Sequence, residues 1–245
     1  TNPNYHGIAT NLVEIASIVH RYGKVLLVDE AHGPHLKFHE ALPISAMEAG
    51  ADICVQSTHK IIGGLTQSSM LHAKRGRVDI IKLKKALQLF QTTSPSYLLM
   101  ASLDLARRQM ALQGRELLEK AINLAQKLRQ GINSTDGFFS FGRGIIGLYG
   151  VHDLDVTKVT VNVRQSGFTG YEVATLLNRH YHIQVEYADQ WNILLLVTFG
   201  NRAEDIERVL QALQSISRMQ RKKPEGDLIP QELPREVPEM VLSPR

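Results

Sequence analysis

Two stretches, Val25-Leu26-Leu27-Val28-Asp29-Glu30-Ala31-His32-Gly33 and Ile53-Cys54-Val55-Gln56-Ser57-Thr58-His59-Lys60, decide the fold of this chain. Each is a short apolar run that leads into residues with reactive side chains. Continuous apolar runs of this kind are typical of strands buried on both faces, and segments with helical spacing separate them, so an α/β arrangement with a parallel sheet is predicted. Ligands bind beyond the carboxyl ends of such strands, where Asp29 and Lys60 are expected to meet.

Asp29 and Lys60 together indicate pyridoxal phosphate chemistry. A lysine holds this cofactor through a Schiff base. A carboxylate paired with the ring nitrogen keeps the ring protonated, so that the ring can accept electrons. Ser57 and Thr58 precede the lysine, and their hydroxyls can donate to a phosphate or to the phenolic oxygen of the cofactor. His32 is expected near the cofactor ring.

Other interpretations of these residues are open to test. The letters Asp29-Glu30-Ala31-His32 also occur in helicases, but that function needs a phosphate loop of the form G-x-x-x-x-G-K-[ST], which the sequence lacks. In a purely structural role, the strand-end acid would cap a loop. His32, His35 and His39 lack the companion ligands of a zinc site, so no metal is predicted. His35 and His39 are expected to be loop or surface residues.

The composition is that of an ordinary globular protein. Of 245 residues 43% are apolar, and the net charge of +4 is too small to indicate a nucleic-acid or membrane-surface protein. No apolar run approaches the roughly 18 residues of a membrane span. The single cysteine, Cys54, is expected to be a buried, inert thiol, which suits the reducing cytoplasm.

Four parts are predicted along the chain. Residues 1–110 form a partial cofactor-binding major domain, 111–136 a linking helix, 137–220 a small α+β domain, and 221–245 a proline-rich extended tail. The chain begins at Thr1 and stops at Arg245 without a helix end or a polar tail, so it is expected to be a piece of a longer protein.

Local signals predict the ends of several elements. In chain order these are a helix from Thr10 to Tyr22 stopped by Gly23, a short helix from Ile44 to Glu48, a long helix from about Ser96 to Gln130 stopped by Gly131, a helix opened by the capping box Thr169 to Glu172, and a strand from Ile183 to Tyr187.

Several motifs together carry a family resemblance. The stretches concerned are Asn4 to Gly7, Val28 to Gly33, Val55 to Lys60, Leu65 to Ser69, and Thr92 to Tyr97. They are similar to the major domain of bacterial Orn/Lys/Arg decarboxylases. The resemblance covers roughly the first 110 residues well and extends more loosely to the end of the chain.

The resemblance implies a fold-type-I pyridoxal phosphate enzyme that decarboxylates a basic amino acid, arginine or lysine before ornithine, to a diamine or polyamine precursor and CO2. It implies that Lys60 carries the cofactor, that Asp29 pairs with the ring nitrogen and that Ala31 packs beneath the ring. Ser57 and His59 would contact the phosphate or the substrate side, and Lys60 or His59 would return a proton to the substrate.

The resemblance further implies a homodimer or a higher homo-oligomer, and a cytoplasmic location is expected. In such dimers the segment that contains Ser94 and Ser96 approaches the active site of the neighbouring subunit. An ordinary helix start, with Ser94 as the cap before Pro95, is the alternative for these two serines. The phosphate-binding turn and the residue that stacks on the cofactor are expected to precede residue 1.

Two further functions stay open at this point. One is a different pyridoxal phosphate reaction, such as that of an aminotransferase or an α-oxoamine synthase, because these enzymes share the acid-to-lysine arrangement. The other is a non-catalytic fragment that pairs with an intact subunit.

Overall fold

In the computed structural model, which describes residues 1–219, helices and strands alternate through the first half of the chain. The strands are β1 (Ile8–Ala9), β2 (Leu27–Asp29), β3 (Ile53–Gln56), β4 (Met70–Ala73), β5 (Asp153–Leu154), β6 (Lys158–Asn162), β7 (Tyr187–Ala188) and β8 (Asn192–Leu196). The helices are α1 (Leu12–Arg21), α2 (Thr58–Ile61), α3 (Ile80–Phe90), α4 (Tyr97–Asn133), α5 (Gly170–Tyr181) and α6 (Ala203–Ser217). The predicted tail, 221–245, lies outside the described residues.

The N-terminal sheet has the order β2-β3-β4 and brings the two predicted strand ends together. β2 and β3 run parallel, with Asp29 opposite Val55. β4 runs antiparallel to β3, with Met70 opposite Gln56. The prediction of a parallel sheet is therefore right for β2 and β3 and wrong for β4. Residues 57–69 join β3 to β4 and contain only the single-turn helix α2, and the chain turns back along β3.

The expectation that the first strand is buried on both faces is wrong for the described residues. Val28 is buried in one core cluster with Leu12 of α1, whereas Leu27 on the opposite face is 58% exposed. Successive side chains of a strand point to opposite faces. Helix α1 covers one of these faces, and nothing within residues 1–219 buries the other at Leu27.

Two predicted element ends also differ from the structure. Residues 44 and 45 are irregular and residues 46–50 form turns, so the predicted short helix is absent. The buried carboxylate of Glu30 accepts from the N–H of Ala46 at 2.6 Å. Gly131 does not stop α4, which runs on to Asn133. A Cβ at Gly131 would lie 2.5 Å from Leu210 Cδ1, so this glycine allows α4 and α6 to approach closely.

The C-terminal half packs a small antiparallel sheet against helices. Its strand order is β6-β8-β7, and its core is shared with α4, α5 and α6. The predicted capping box is confirmed, because Thr169 and Glu172 bind each other's backbone N–H groups at the start of α5. The strand predicted from Ile183 is shorter than expected and begins at Tyr187, although Ile183 is buried.

The antiparallel pair β1 and β5 ties the first residues of the chain to the start of β6. The N–H of Asp155 donates to the carbonyl of Gly7 at 2.8 Å. Gly7 has φ +84°, and a Cβ there would lie 2.6 Å from the Asp155 carbonyl, so only glycine allows this approach. Tyr5 and Lys158 are thereby brought to the same edge as the ends of β2 and β3. No helix among residues 1–219 is both long and apolar enough to cross a membrane.

Candidate active site

Lys60 and His32 meet beyond the ends of β3 and β2. Lys60 lies in α2, which starts directly after β3, and its backbone N–H donates to the carbonyl of Ser57 at 3.1 Å. The Lys60 Nζ atom lies 3.1 Å from His32 Nε2. Asp29 ends the neighbouring strand and accepts from the N–H of Ala31 at 3.0 Å, so its carboxylate has a fixed partner beside this pair. The predicted residues Lys60, Asp29, Ala31 and His32 therefore share one edge.

Tyr5 packs on this edge. Its ring centroid lies 4.3 Å from that of His32, and Lys60 Nζ lies 5.9 Å from the Tyr5 centroid. An ammonium at this distance is attracted by the face of an aromatic ring. The sequence marked Tyr5 only as part of a family motif and gave no role to it, because the contact depends on the pairing of β1 with β5.

Three titratable residues, Lys158, Asp155 and His35, lie buried behind His32. Lys158 Nζ is 3.4 Å from His32 Nδ1, and Asp155 Oδ2 is 3.0 Å from His35 Nε2. Burial by itself would raise the pKa of Asp155, but the interaction with His35 and the positive charge of Lys158 hold it well below its usual range. No local signal in the sequence points to Asp155 or Lys158 as site residues.

His35 and His39 lie in the loop after β2, as one of the two expectations for them had it, but neither is a surface residue. His35 is fully buried against Asp155, and His39 is buried with its Nε2 atom 2.9 Å from Glu119 Oε2. Both partners are distant in the chain, so local sequence gives no sign of them. Among residues 1–219, no three His, Cys, Asp or Glu side chains converge as ligands for a metal ion.

The electrostatics around His32 favour its neutral form. Burial is the largest cause, and the positive charges of Lys158 and Lys60 add to it, so that the pKa of His32 falls to about 4. The carboxylates of Asp29 and Asp155 act in the opposite direction but do not compensate. His32 is thus a neutral imidazole between two lysines at neutral pH.

Three more residues named from the sequence, His59, Ser57 and Thr58, lie next to Lys60. His59 Nδ1 is 2.8 Å from the carbonyl oxygen of Ser68. Because a carbonyl only accepts, Nδ1 carries the hydrogen and Nε2 is left with a lone pair when the ring is neutral. Ser57 occupies the N-cap position of α2 without a side-chain capping bond. The hydroxyl of Thr58 is buried and has no hydrogen-bond partner within the described residues.

Ser94 and Ser96 are not brought to these residues. Both are exposed in front of α4, and neither forms a hydrogen bond with Lys60, Asp29 or His32. Ser96 caps α4 by accepting from the N–H of Leu99 at 3.5 Å. The alternative in which Ser94 is the cap therefore assigns the wrong serine.

The acid next to Asp29 has a structural role. Glu30 is fully buried, and its carboxylate accepts from Gln56 Nε2 at 2.6 Å and from Cys54 Sγ at 3.3 Å. Burial raises the pKa of Glu30, which these hydrogen bonds partly offset. The expectation that the thiol of Cys54 is buried is confirmed, and this burial raises its pKa.

The donor set of this edge fits pyridoxal phosphate. The cofactor needs an amine for its aldehyde, a carboxylate for its ring nitrogen and donors for its phosphate. Lys60 supplies an amine that forms no ion pair within residues 1–219, and Asp29 supplies an exposed carboxylate. The unpartnered hydroxyl of Thr58 and the N-cap residue Ser57 supply polar groups beside Lys60.

Comparisons with known proteins point to one family. Residues 1–147 match the model of the family described as Orn/Lys/Arg decarboxylase, major domain. The whole chain is 41% identical over 249 residues to an arginine decarboxylase of Halalkalibacterium halodurans and 42% identical over 245 residues to one of Bacillus anthracis. In each case the chain spans half of the relative's length.

A solved structure agrees in fold. The lysine decarboxylase LdcF of Francisella novicida is 27% identical to this chain and superposes with a TM-score of 0.70. The match covers 89% of this chain and 35% of the solved chain.

Proposed function

This chain belongs to the Orn/Lys/Arg decarboxylase family, and from that premise we propose that the complete protein decarboxylates arginine with pyridoxal phosphate. Relatives called arginine decarboxylases are 41–42% identical over the whole chain, whereas the solved lysine decarboxylase is 27% identical, which favours arginine over lysine. The product would be the corresponding amine, a polyamine precursor, together with CO2.

One observation carries the proposal: the amine of Lys60 lies beside the end of β2, which bears Asp29. Lys60 would hold the cofactor through its Nζ atom. Pyridoxal phosphate, when bound, supplies an electron-accepting ring that stabilises the negative charge left at Cα when CO2 departs. The residues of this chain would position the reactants and control the protons.

Asp29 would pair with the ring nitrogen and stabilise its protonated state. The N–H of Ala31 donates to Oδ1 of Asp29, which limits the rotation of the carboxylate. A preoriented carboxylate stabilises developing charge without reorganising during the reaction. Ala31 itself would leave room for the ring, because its methyl group is the smallest side chain that still provides packing.

His59 would hold or move a proton at Nε2. Its Nδ1 hydrogen is engaged by the carbonyl of Ser68, which fixes the ring and leaves Nε2 as the basic atom. Either this atom or the Nζ of Lys60 would return a proton to Cα of the substrate. The hydroxyls of Ser57 and Thr58 would donate to the phosphate.

A homodimer in the cytoplasm is part of the proposal. Large apolar side chains lie on the surface of α3 and at the start of α4, with Phe90 88% exposed and Tyr97 81% exposed. Exposed apolar patches of this kind mark interaction surfaces. Ser94 and Ser96 lie between these two aromatic residues, so they would be at such an interface and could approach a neighbouring active site.

The proposal is tested with the full-length protein supplied with pyridoxal phosphate. Arginine, lysine and ornithine are offered separately, and release of CO2 and of the amine is measured beside formation of a keto acid. We expect more CO2 release from arginine than from lysine or ornithine. In Lys60→Ala, both this CO2 release and the visible absorption of the lysine-bound cofactor should be lost. Keto acid formation without CO2, or an unchanged absorption in Lys60→Ala, would overturn the proposal.

A further inference from the structure

Lys158 is a buried lysine that the proposed reaction does not use. It lies in β6 and is fully buried. Removing an ammonium from water costs several kcal/mol unless charges and hydrogen bonds in the protein compensate. A lysine therefore persists at such a position only where it has specific partners.

The partners of Lys158 connect it to Lys60. Its Nζ lies 3.4 Å from Nδ1 of His32, and Nε2 of the same ring lies 3.1 Å from Nζ of Lys60. The three side chains come from β6, from the turn after β2 and from α2. His32 therefore lies between the two lysines and faces one of them with each ring nitrogen.

The carboxylate of Asp155 offsets part of the cost of burying a charge at Lys158. The negative charge of Asp155 favours the ammonium form of Lys158, although burial, the larger effect, lowers its pKa. Asp155 is itself held by His35 at 3.0 Å and by the hydroxyl of Thr157 at 2.6 Å. Asp155 therefore has hydrogen-bond partners of its own beside Lys158.

We propose that Lys158 is a positioning residue that donates a hydrogen bond to Nδ1 of His32 and thereby fixes the hydrogen of this ring on Nε2. The proposal takes Lys158 in its ammonium form, which the negative charge of Asp155 favours; that form has three hydrogens and no lone pair on Nζ, so it can only donate. Nδ1 must then accept, and a neutral imidazole with an acceptor at Nδ1 carries its hydrogen on Nε2.

The tautomer of His32 affects the amine of Lys60, and this part of the inference rests on the proposed function of Lys60. With the hydrogen on Nε2, His32 offers an N–H to Nζ of Lys60. The amine can accept it only through its lone pair, which belongs to the free-base, nucleophilic form. Lys158 thus selects, through His32, the hydrogen-bond pattern that suits the reactive state of Lys60.

The charged groups around His32 are consistent with this pattern. Lys60 faces the ring from α2, Lys158 from β6, Asp29 from β2, and Asp155 from the turn before β6. Burial and the two lysines keep the ring neutral at neutral pH, against the opposite effect of the two carboxylates, and the proposed tautomer requires this neutral ring. A doubly protonated ring would place N–H groups against both lysines.

Nitrogen-15 NMR of the full chain, labelled at histidine and free of cofactor, tests the tautomer directly. The signals of His32 are identified by their loss in His32→Gln. We expect the one-bond N–H coupling at Nε2 and none at Nδ1 in the wild type. A hydrogen on Nδ1 in the wild type would overturn the inference, whether or not any variant folds.

Variants of Lys158 separate positioning from packing. Lys158→Met keeps the volume but removes the donor, so the two His32 tautomers should become mixed and the pKa of His32 should rise above about 4. Lys158→Arg retains a donor and should keep the wild-type tautomer. Lys127→Met removes an exposed lysine of α4 and serves as the control that should change nothing at His32.

An unchanged His32 tautomer in a folded Lys158→Met would also overturn the inference. Because these measurements use the protein without cofactor, they do not depend on decarboxylation. Failure of the CO2 assay together with the expected tautomer would reject the proposed reaction and leave the role of Lys158 standing.

Discussion

The Nζ atom of Lys60 lies 3.1 Å from Nε2 of His32, although the two residues are 28 positions apart in the chain. The contact follows from the parallel register of β2 and β3, in which Asp29 lies opposite Val55. His32 comes three residues after the end of one strand and Lys60 four residues after the end of the other. Both side chains therefore project from the same edge of the sheet, which is where α/β proteins bind their ligands.

Replacement of Asp29 by asparagine should affect the chemical step more than substrate binding. The substitution keeps the shape and removes the charge that would stabilise the protonated ring, so kcat should fall by roughly 10²–10³ while KM changes little. Steady-state release of CO2 from arginine by the full-length enzyme measures this. Asp104→Asn, which removes an exposed carboxylate paired with Arg107 on α4, should keep the wild-type kcat. A wild-type kcat in Asp29→Asn would reject the role given to this carboxylate.

The buried imidazole of His32 should make stability depend on pH. In the unfolded chain a histidine has a pKa of about 6.5, whereas the pKa of folded His32 is about 4. Between these values the unfolded chain binds a proton that the folded chain does not, so the free energy of unfolding should fall as the pH is lowered through this window. The whole effect is at most on the order of 3 kcal/mol.

Urea unfolding near the two ends of that window checks the contribution of His32. The loss of stability on acidification should be smaller in His32→Gln than in the wild type. His152→Gln, at an exposed position, should lose as much as the wild type. An equal loss in all three proteins would mean that His32 does not cause the dependence.

Cys54 should resist thiol reagents in the folded protein. The thiol is buried beside Glu30, and burial raises its pKa, so little thiolate is present and reagents have no access to it. We expect the peptide that contains Cys54 to remain unlabelled by iodoacetamide at mildly alkaline pH and to be labelled fully in urea. Rapid labelling under native conditions would show that β3 opens locally.

Gly170 should not tolerate a side chain. A Cβ at this position would lie 2.2 Å from the carbonyl oxygen of Asp189 and 2.3 Å from that of Asn192, and backbone atoms cannot move aside as a flexible side chain can. Gly170→Ala should therefore lower the free energy of unfolding by about 1–3 kcal/mol. Gly144→Ala has nothing within 4 Å of the new Cβ and should stay within about 0.5 kcal/mol of the wild type in urea unfolding.

The sequence predicted the fold class and the family from a few local motifs. The apolar runs that end at Asp29 and precede Lys60 gave the strands, and their similarity to decarboxylase motifs gave the family; the family match and the similarity in fold confirm both. Such signals are local, because a strand end, a helix cap such as Thr169 or a buried thiol such as Cys54 depends mainly on neighbouring residues. The assignment of Asp29, Lys60, His59, Ser57 and Ala31 to cofactor and substrate stays a prediction.

Tertiary structure alone decided what surrounds these residues. His35 bonds to Asp155 across 120 positions, and Lys158 reaches His32 across 126, so no spacing rule could reveal either contact. The same holds for Gly131 inside α4, where a Cβ would collide with Leu210 of α6. A short motif shows which reactive side chains follow the end of a strand. The protonation and orientation of those side chains depend on buried charged groups, and these groups become buried only when distant segments pack together.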